Sequence, residues 1–192
     1  MSSEYFKWIM PSMKNRSVNK SDFRFKKAME QAAIAKKMKD ENKLPTLDDI
    51  TAYVNDFFKR IGMKDDVKPK TKKTNRIYSD IWSENKQKGM VEKNDIVWIK
   101  VTKNGVIGVI GTSCDIFLDF PNDKEKYSTS DKIVEYVSKE ECEGFSWDTE
   151  RVLIFPLCNI PEGLNRSDIE SGIGNYLIHK NVPILDYYSH NY

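Results

Sequence analysis

Apolar residues recur every three or four positions in residues 21–43 and 45–62, which is the spacing of an amphipathic helix. The first stretch opens on Ser21, which can cap a helix, and the second on Thr46, whose partner Asp49 completes a capping box. Gly62 supplies a stop. The two apolar stripes are Phe25, Ala28, Met29, Ala32 and Ala35, then Leu47, Ile50, Val54, Phe57 and Ile61. We therefore predict two helices in the first third of the chain.

Residues 96–101 and 106–110 are instead runs of β-branched and aromatic residues, with Asn104-Gly105 between them. This dipeptide between two such runs is the strongest short-range indication of a β-hairpin. We predict a type I′ turn, which requires positive φ at both residues. Gly108 and Gly111 also lie inside the hairpin, so the glycine spacing indicates bends or bulges rather than a phosphate-binding loop.

The remaining sequence predicts further strands and two more helices. The strands are expected over residues 114–120, 150–163 and 182–188. One helix covers residues 128–139, capped at Ser128 or Ser130, and the other begins at a Ser167–Glu170 capping box and ends near Asn181. Pro156 cannot donate to a strand ladder, so it indicates an edge position or a bulge.

Charge divides the chain into two parts. Residues 1–75 carry 18 lysines and arginines against 10 acidic residues, a net charge of +8, whereas residues 76–192 carry 13 against 19, a net charge of −6. We predict an α+β protein, with a helical N-terminal region followed by a small curved, mostly antiparallel β-rich domain that has two helices. The predicted boundaries are a basic helical region at 1–63, a lysine-rich linker at 64–76 and an acidic β-rich domain at 77–192.

The linker contains no apolar residue between Val67 and Ile77. Pro69 disfavours helix just before it, and a segment with nothing to bury cannot offset its ordering entropy, so we expect it to be mobile. Its lysines would favour a phosphate backbone. A charged segment that only keeps a hinge solvated has the same composition, so both interpretations stay open.

The stretch GMVEKNDIVWIKV, residues 89–101, has a basic turn and an aspartate before an apolar strand. It resembles the first strand of small SH3-like barrels, a fold that ribonuclease toxins of the MazF type use. The resemblance is confined to this stretch. It implies a small curved sheet and no activity.

Thiols and imidazoles are few and widely spaced: Cys114, Cys142, Cys158, His179 and His190. A structural zinc site needs four ligands at close paired spacings, so we predict no metal site, and we expect buried, reduced thiols. Cys114 and His179 could act as nucleophile and base only if the fold brings them together.

Carboxylates offer the main enzymatic alternative. Nucleases of the restriction type hold magnesium with an aspartate and a Glu-x-Lys triplet on neighbouring strands. The candidate groups are Glu41-Asn42-Lys43, Glu84-Asn85-Lys86 with Asp80, and the strand-flanking Asp95, Asp115 and Asp119. Neither triplet is predicted to lie on a strand, and aspartates beside strands are often turn formers.

The leading hypothesis is a non-enzymatic accessory protein that binds DNA or RNA, although enzymatic activity stays open. Its basic helical half would contact phosphates, and its β-rich half would dock a protein partner or a second copy. The predicted contacts are Lys26, Lys27, Lys36 and Lys37 on the first helix and Lys70, Lys72 and Lys73 in the linker. No cofactor is predicted.

Two alternatives remain beside this hypothesis. One is a metal-dependent nuclease or RNase, and the other is an assembly or inhibitory subunit of a virus or mobile element that binds protein only. The sequence has no apolar run of about 18 residues and no basic stretch followed by an apolar segment at the N-terminus. We therefore expect no membrane association and a cytoplasmic location.

Overall fold

The computed structural model describes residues 20–63, 70–71, 95–114, 129–140, 144–157 and 159–186. These residues form four helices and four strands. In chain order they are α1 (Lys20–Asp40), α2 (Leu47–Arg60), β1 (Lys70–Thr71), β2 (Ile96–Thr102), β3 (Ile107–Ser113), α3 (Thr129–Glu140), β4 (Trp147–Pro156) and α4 (Arg166–His179).

The strands form one antiparallel sheet in the order β1-β4-β2-β3, and within the described residues it is not closed into a barrel. Two helices precede the strands along the chain, α3 lies between β3 and β4, and α4 follows β4. The predicted α+β class is confirmed. The strand predicted over 114–120 lies, after Cys114, outside the described residues. Of the strand predicted over 182–188, residues 182–186 are described, and they form only a single parallel bridge, between Ile184 and Ile107 of β3.

The two predicted N-terminal helices are present, with one change at a terminus. At α2, Thr46 and Asp49 make the predicted capping box: the Asp49 amide donates to Thr46 Oγ1 over 3.2 Å, and Asp49 Oδ2 accepts from the Thr46 amide over 2.9 Å. Gly62 follows the helix with φ of +87°. Helix α1 begins at Lys20, so Ser21 lies inside its first turn and is not the cap.

The cap of α4 also differs from the prediction. Asn165 is the N-cap, and its side chain accepts from the Asp168 amide over 3.2 Å while Asp168 accepts from the Asn165 amide over 2.9 Å. Ser167 and Glu170 therefore do not form the capping box. The reason is burial, because Glu170 is only 3% exposed and faces the interior of the fold.

The hairpin lies where it was predicted, but the type I′ turn is wrong. Gly105 has φ of +85°, whereas Asn104 does not have positive φ. The Gly105 amide donates to the Thr102 carbonyl over 2.8 Å, and the Thr102 amide donates to the Val106 carbonyl over 2.8 Å. This is a three-residue loop that ends on a left-handed glycine, the other common way to join two strands.

Tryptophan rings explain the next two glycines. A Cβ at Gly108 would lie 2.2 Å from the Trp147 ring, and a Cβ at Gly111 would lie 2.2 Å from the Trp98 ring. Gly108 also lies where the β2–β3 register shifts, so the predicted bulge is present there. At Gly111 the requirement is close ring packing, which the glycine spacing alone did not predict.

Two buried clusters join the predicted N-terminal and C-terminal regions. The sheet core packs α2 and α4 on one face of the sheet, and the α1–α3 core packs α1 on α3. The sheet core includes Ile50, Val54, Phe57, Phe58, Val97, Ile99, Leu153, Phe155, Ile169 and Leu177, and the α1–α3 core includes Ala28, Ala32, Ala35, Val106, Ile133, Val137, Phe145 and Leu185. Within the described residues, the two regions therefore share their cores.

Part of the predicted linker belongs to the sheet. Lys70 and Thr71 pair with Ile154 and Leu153 of β4, so this dipeptide is an edge strand and does not fit a wholly mobile segment. Backbone hydrogen bonds can hold a strand that has no apolar side chain to bury. The other linker residues lie outside the described ranges, and the boundaries of the linker stay a prediction.

Pro156 is the last residue of β4. It lies beyond Leu153 and Ile154, the two residues of β4 that pair with β1.

A buried ionic cluster attaches α1 to the C-terminal segment. Asp186, whose side chain is fully buried, accepts from Arg24 Nε over 3.0 Å, from Arg24 Nη2 over 2.5 Å and from Ser130 Oγ over 2.5 Å. The Asp186 amide donates to the Gly108 carbonyl of β3 over 2.9 Å. We call these side chains the Asp186 latch. It brings the starts of α1 and α3 together beside the sheet.

Candidate nucleic-acid interface

The predicted lysines of α1 have different surroundings. Lys26, Lys36 and Lys37 are exposed. Lys27 is half-buried, and its Nζ lies 2.6 Å from Glu30 Oε2, so an internal carboxylate already balances its charge. Of the predicted linker residues, Lys70 is placed in β1 without a described side chain, and Lys72 and Lys73 lie outside the described residues.

Helical geometry separates these four lysines. Successive residues of an α-helix are about 100° apart and rise about 1.5 Å, so Lys26 and Lys37 point within about 20° of each other, about 16 Å apart along α1. Lys36 and Lys27 point about 100° to either side of this direction. A single straight phosphate backbone therefore reaches Lys26 and Lys37 together, with the other two lysines on opposite flanks.

A groove between α1 and α3 lies beside Lys26. Its described lining is Phe25, Lys26, Met29 and Tyr136, and its volume is about 420 Å³. The Phe25 and Tyr136 rings meet at about a right angle, 78°, with their centroids 5.1 Å apart. Tyr136 is nevertheless 41% exposed. We call this feature the Tyr136 groove.

The sequence interpretation missed the Tyr136 groove. Residues 128–139 were predicted as a short helix, and the position of Tyr136 on that helix was not used. A signal was available, because the residues three or four positions from Tyr136 include the charged Lys132, Lys139 and Glu140. An aromatic residue among charged helix positions indicates either a contact with another element or a binding surface.

A second basic and aromatic cluster lies where α2 and α4 end. Arg60 and Lys180 lie over the Tyr176 ring, at 5.7 and 5.2 Å from its centroid, and Lys180 also lies 5.8 Å from the Tyr53 ring. Asp56 accepts from the Tyr176 hydroxyl and from Arg60 Nε, the latter over 3.1 Å. The positive charges of this cluster are thus engaged by an internal carboxylate and by ring faces.

Hydrogen bonding to Asp56 shifts two pKa values in this second cluster. Burial, together with the hydrogen bond to Asp56, raises the pKa of Tyr176 to about 12. The hydrogen bond from Tyr176 lowers the pKa of Asp56, with a further contribution from Arg60. The tyrosine therefore stays protonated and the aspartate stays charged at neutral pH, as the hydrogen bond between them requires.

Lys100, on β2, directs its charged group towards other side chains of the protein. Its Nζ lies 4.6 Å from the centre of the Trp147 ring and 3.9 Å from Asp131 Oδ1, which also accepts from Trp147 Nε1 over 2.9 Å. Burial lowers the pKa of Lys100, while Asp131 acts in the opposite direction. This ammonium group lies among internal partners and not on the α1 surface.

The carboxylates of the nuclease alternative have other contacts where they are described. Asp95 Oδ1 accepts from Arg166 Nη1 over 2.9 Å, and Glu41 pairs with Lys43 over 2.8 Å in the turn after α1. No group of three or more His, Cys, Asp or Glu residues arranged for a metal occurs in the described part of the chain. Asp80, Glu84, Lys86, Asp115 and Asp119 lie outside it.

The structure does not bring Cys114 and His179 together. The Cys114 thiol interacts with Arg166, the first residue of α4, whereas His179 is the last residue of the same helix. Thirteen helical residues span about 20 Å, so a direct proton transfer between the two side chains is impossible. Cys114 is also exposed, which contradicts the prediction that it is buried.

Comparison with protein-family models, with curated proteins and with solved structures gives no match to this chain. None of the described helices combines the length and the apolar character that crossing a bilayer requires.

Proposed function

We propose that this protein binds nucleic acid as a non-enzymatic accessory protein, through contacts between lysines and the phosphate backbone. The observation that carries the proposal is the placement of Lys26 and Lys37, two exposed lysines that point the same way on α1. They lie in a region of the sequence with a net charge of +8.

Exposed lysines suit this role for a physical reason. Each lysine that neutralises a phosphate releases condensed counterions, and this release drives binding without any base-specific contact. An exposed ammonium group keeps most of its hydration before binding, so the folded protein loses little stability by presenting it. The rest of the acidic C-terminal part would not attract phosphates, and we propose that its surfaces away from α1 face a protein partner or a second copy.

Measurement of affinity against salt concentration tests the proposal. Fluorescence anisotropy with labelled duplex DNA, single-stranded DNA and RNA should show binding that weakens steeply between about 50 and 200 mM salt. The double variant Lys26→Gln/Lys37→Gln should lower the slope of log affinity against log salt by roughly 1–2 on duplex DNA, because each phosphate contact contributes about 0.9.

A matched control removes the same charge elsewhere. Lys59, in the last turn of α2, and Lys103, in the loop between β2 and β3, are exposed lysines outside α1 and α3, so Lys59→Gln/Lys103→Gln should leave the slope unchanged. The triple variant Lys70→Gln/Lys72→Gln/Lys73→Gln separates the two interpretations of the linker: a fall of up to about 2–3 indicates phosphate contacts, and an unchanged slope indicates a hinge. The absence of salt-dependent binding to any of these nucleic acids would refute the proposal in favour of a protein-only role.

A further inference from the structure

We infer that the Tyr136 groove receives an unpaired nucleobase, so that the partner of this protein is single-stranded nucleic acid. The inference rests on the proposed function and makes it more specific. It starts from Tyr136, the large exposed ring on α3, and from the groove that this ring shares with α1.

The size and lining of the groove suit a flat aromatic group. Its volume of about 420 Å³ falls in the range of about 300–1,000 Å³ that is usual for ligand sites. Phe25, Met29 and Tyr136 supply apolar and aromatic walls. Stacking on an aromatic side chain is the common way in which proteins hold unpaired bases, and it tolerates any sequence because every base has a π-face.

Cations lie on both sides of the groove. Lys26 is part of its lining on α1, and Lys132 is exposed one turn before Tyr136 on the same side of α3. Glu135, next to Tyr136 in the sequence, lies 2.7 Å from Lys139, which balances its charge, and Glu140 is the exposed acidic residue one turn after Tyr136. The phosphates that flank an inserted base would therefore meet a lysine on either helix.

A duplex suits this groove less well than a single strand. Bases of a duplex are stacked and paired, and one of them can enter a pocket only after it leaves the stack, which costs free energy. A single strand offers its bases without that cost. An apolar groove with a cationic rim also differs from the flat basic surface that is sufficient for binding a duplex backbone.

Two variants of Tyr136 test the inference. Labelled oligo(dT), oligo(U) and a DNA duplex of the same length serve as probes in fluorescence anisotropy. Wild-type protein should bind the single strands more tightly than the duplex. Tyr136→Leu should weaken single-strand binding about 5- to 100-fold, the usual loss for one stacked base, and Tyr136→Phe should retain it. The leucine keeps an apolar contact with Phe25, so folding should be preserved, and a thermal melt checks this.

Two controls separate stacking from charge. Ile34→Ala removes the other large apolar side chain that is exposed in the described part of the protein. Ile34 is not among the described residues of the groove, so this change should not alter affinity. Lys132→Gln should lower the salt slope by about 0.7 on a single strand, whereas Tyr136→Leu should leave the slope unchanged. If the melting temperature of Tyr136→Leu is well below that of the wild type, Tyr136→Gln replaces it as the variant that lacks the ring. Its affinity and salt slope are then compared with those of Lys132→Gln, the variant that lacks a charge.

The outcomes are distinguishable. Salt-dependent binding that is unaffected at position 136, or that is tighter for the duplex, overturns this inference and leaves the proposed function intact. No salt-dependent binding to any probe overturns both. Loss of affinity in Tyr136→Leu with retention in Tyr136→Phe supports the inference.

Discussion

Individual residues of this protein are constrained in three ways: by backbone conformation, by close packing against a ring, or by a hydrogen bond. Gly105 is required by its backbone conformation, with φ of +85°, while Gly108 and Gly111 are required by indole rings that leave no room for a Cβ. The Tyr176 hydroxyl donates a hydrogen bond to Asp56, which requires a protonated tyrosine and a charged aspartate. Each kind of constraint gives its own response to substitution or to pH.

The hairpin loop should distinguish Gly105 from Asn104. Gly105→Val forces a β-branched residue into the left-handed region and should lower the free energy of unfolding by about 1–3 kcal/mol. Asn104→Val should cost about 1 kcal/mol or less, because Asn104 lacks positive φ and loses only its hydrogen bond with Thr102. Urea unfolding of both variants measures the difference. Equal large losses would instead indicate the type I′ turn.

Tyr176 should make stability depend on alkaline pH. Folding raises its pKa from 10.0 to about 12, so the protonated form is favoured in the folded state. Its contribution is fully present below pH 10 and is lost as the pH rises towards 12. Comparison of wild type with Tyr176→Phe isolates this titration from that of the lysines. The difference between their unfolding free energies should shrink over this range, and a constant difference would contradict the raised pKa.

At the scale of elements, α1 is attached by apolar contacts with α3, in which Phe25 and Met29 take part, and by the Asp186 latch. Its buried stripe consists of alanines, which remove little apolar surface from water compared with leucine or phenylalanine. The Asp186 latch adds a buried ion pair between Arg24 and Asp186. The attachment of the basic helix therefore combines apolar contacts with a few polar ones, and the polar ones can be tested separately.

Breaking the latch should be costly. Asp186→Asn removes the buried negative charge that the Arg24 guanidinium contacts and should destabilise the protein by about 2–4 kcal/mol, somewhat below the usual loss for fully buried pairs because Arg24 is 14% exposed. Glu30→Gln, in the more exposed Lys27–Glu30 pair of the same helix, should cost less than about 1 kcal/mol. Chemical denaturation compares the two, and similar small losses would show that α1 does not depend on the latch.

Local patterns predicted elements better than their termini. The α2 capping box depends on two residues only three positions apart, so the local sequence was sufficient to predict it. At α4 the sequence contains two overlapping capping-box patterns, Asn165 with Asp168 and Ser167 with Glu170. Only the first forms, because Glu170 is buried in the tertiary structure. The Tyr136 groove depends on the packing of two helices far apart in sequence, and no local pattern specifies that packing.

At the scale of the whole molecule, the division of charge does not coincide with a division of the core. The sheet core combines α2 from the basic part with strands and a helix from the acidic part, and the α1–α3 core does the same with α1. The opposite net charges of the two parts favour their association at low salt. We therefore expect the described elements to unfold together, although the sequence changes composition at residues 64–76.

Limited proteolysis tests this expectation together with the predicted linker. Trypsin should cut first between Lys64 and Arg76, because this stretch contains many lysines and no apolar residue after Val67. The two fragments should nevertheless elute together in size-exclusion chromatography, since both cores contain residues from before and after the cut. Denaturing electrophoresis of the same fraction would identify the cleavage site. First cleavage in the acidic part would contradict the linker, and separation of the fragments under native conditions would contradict the shared cores.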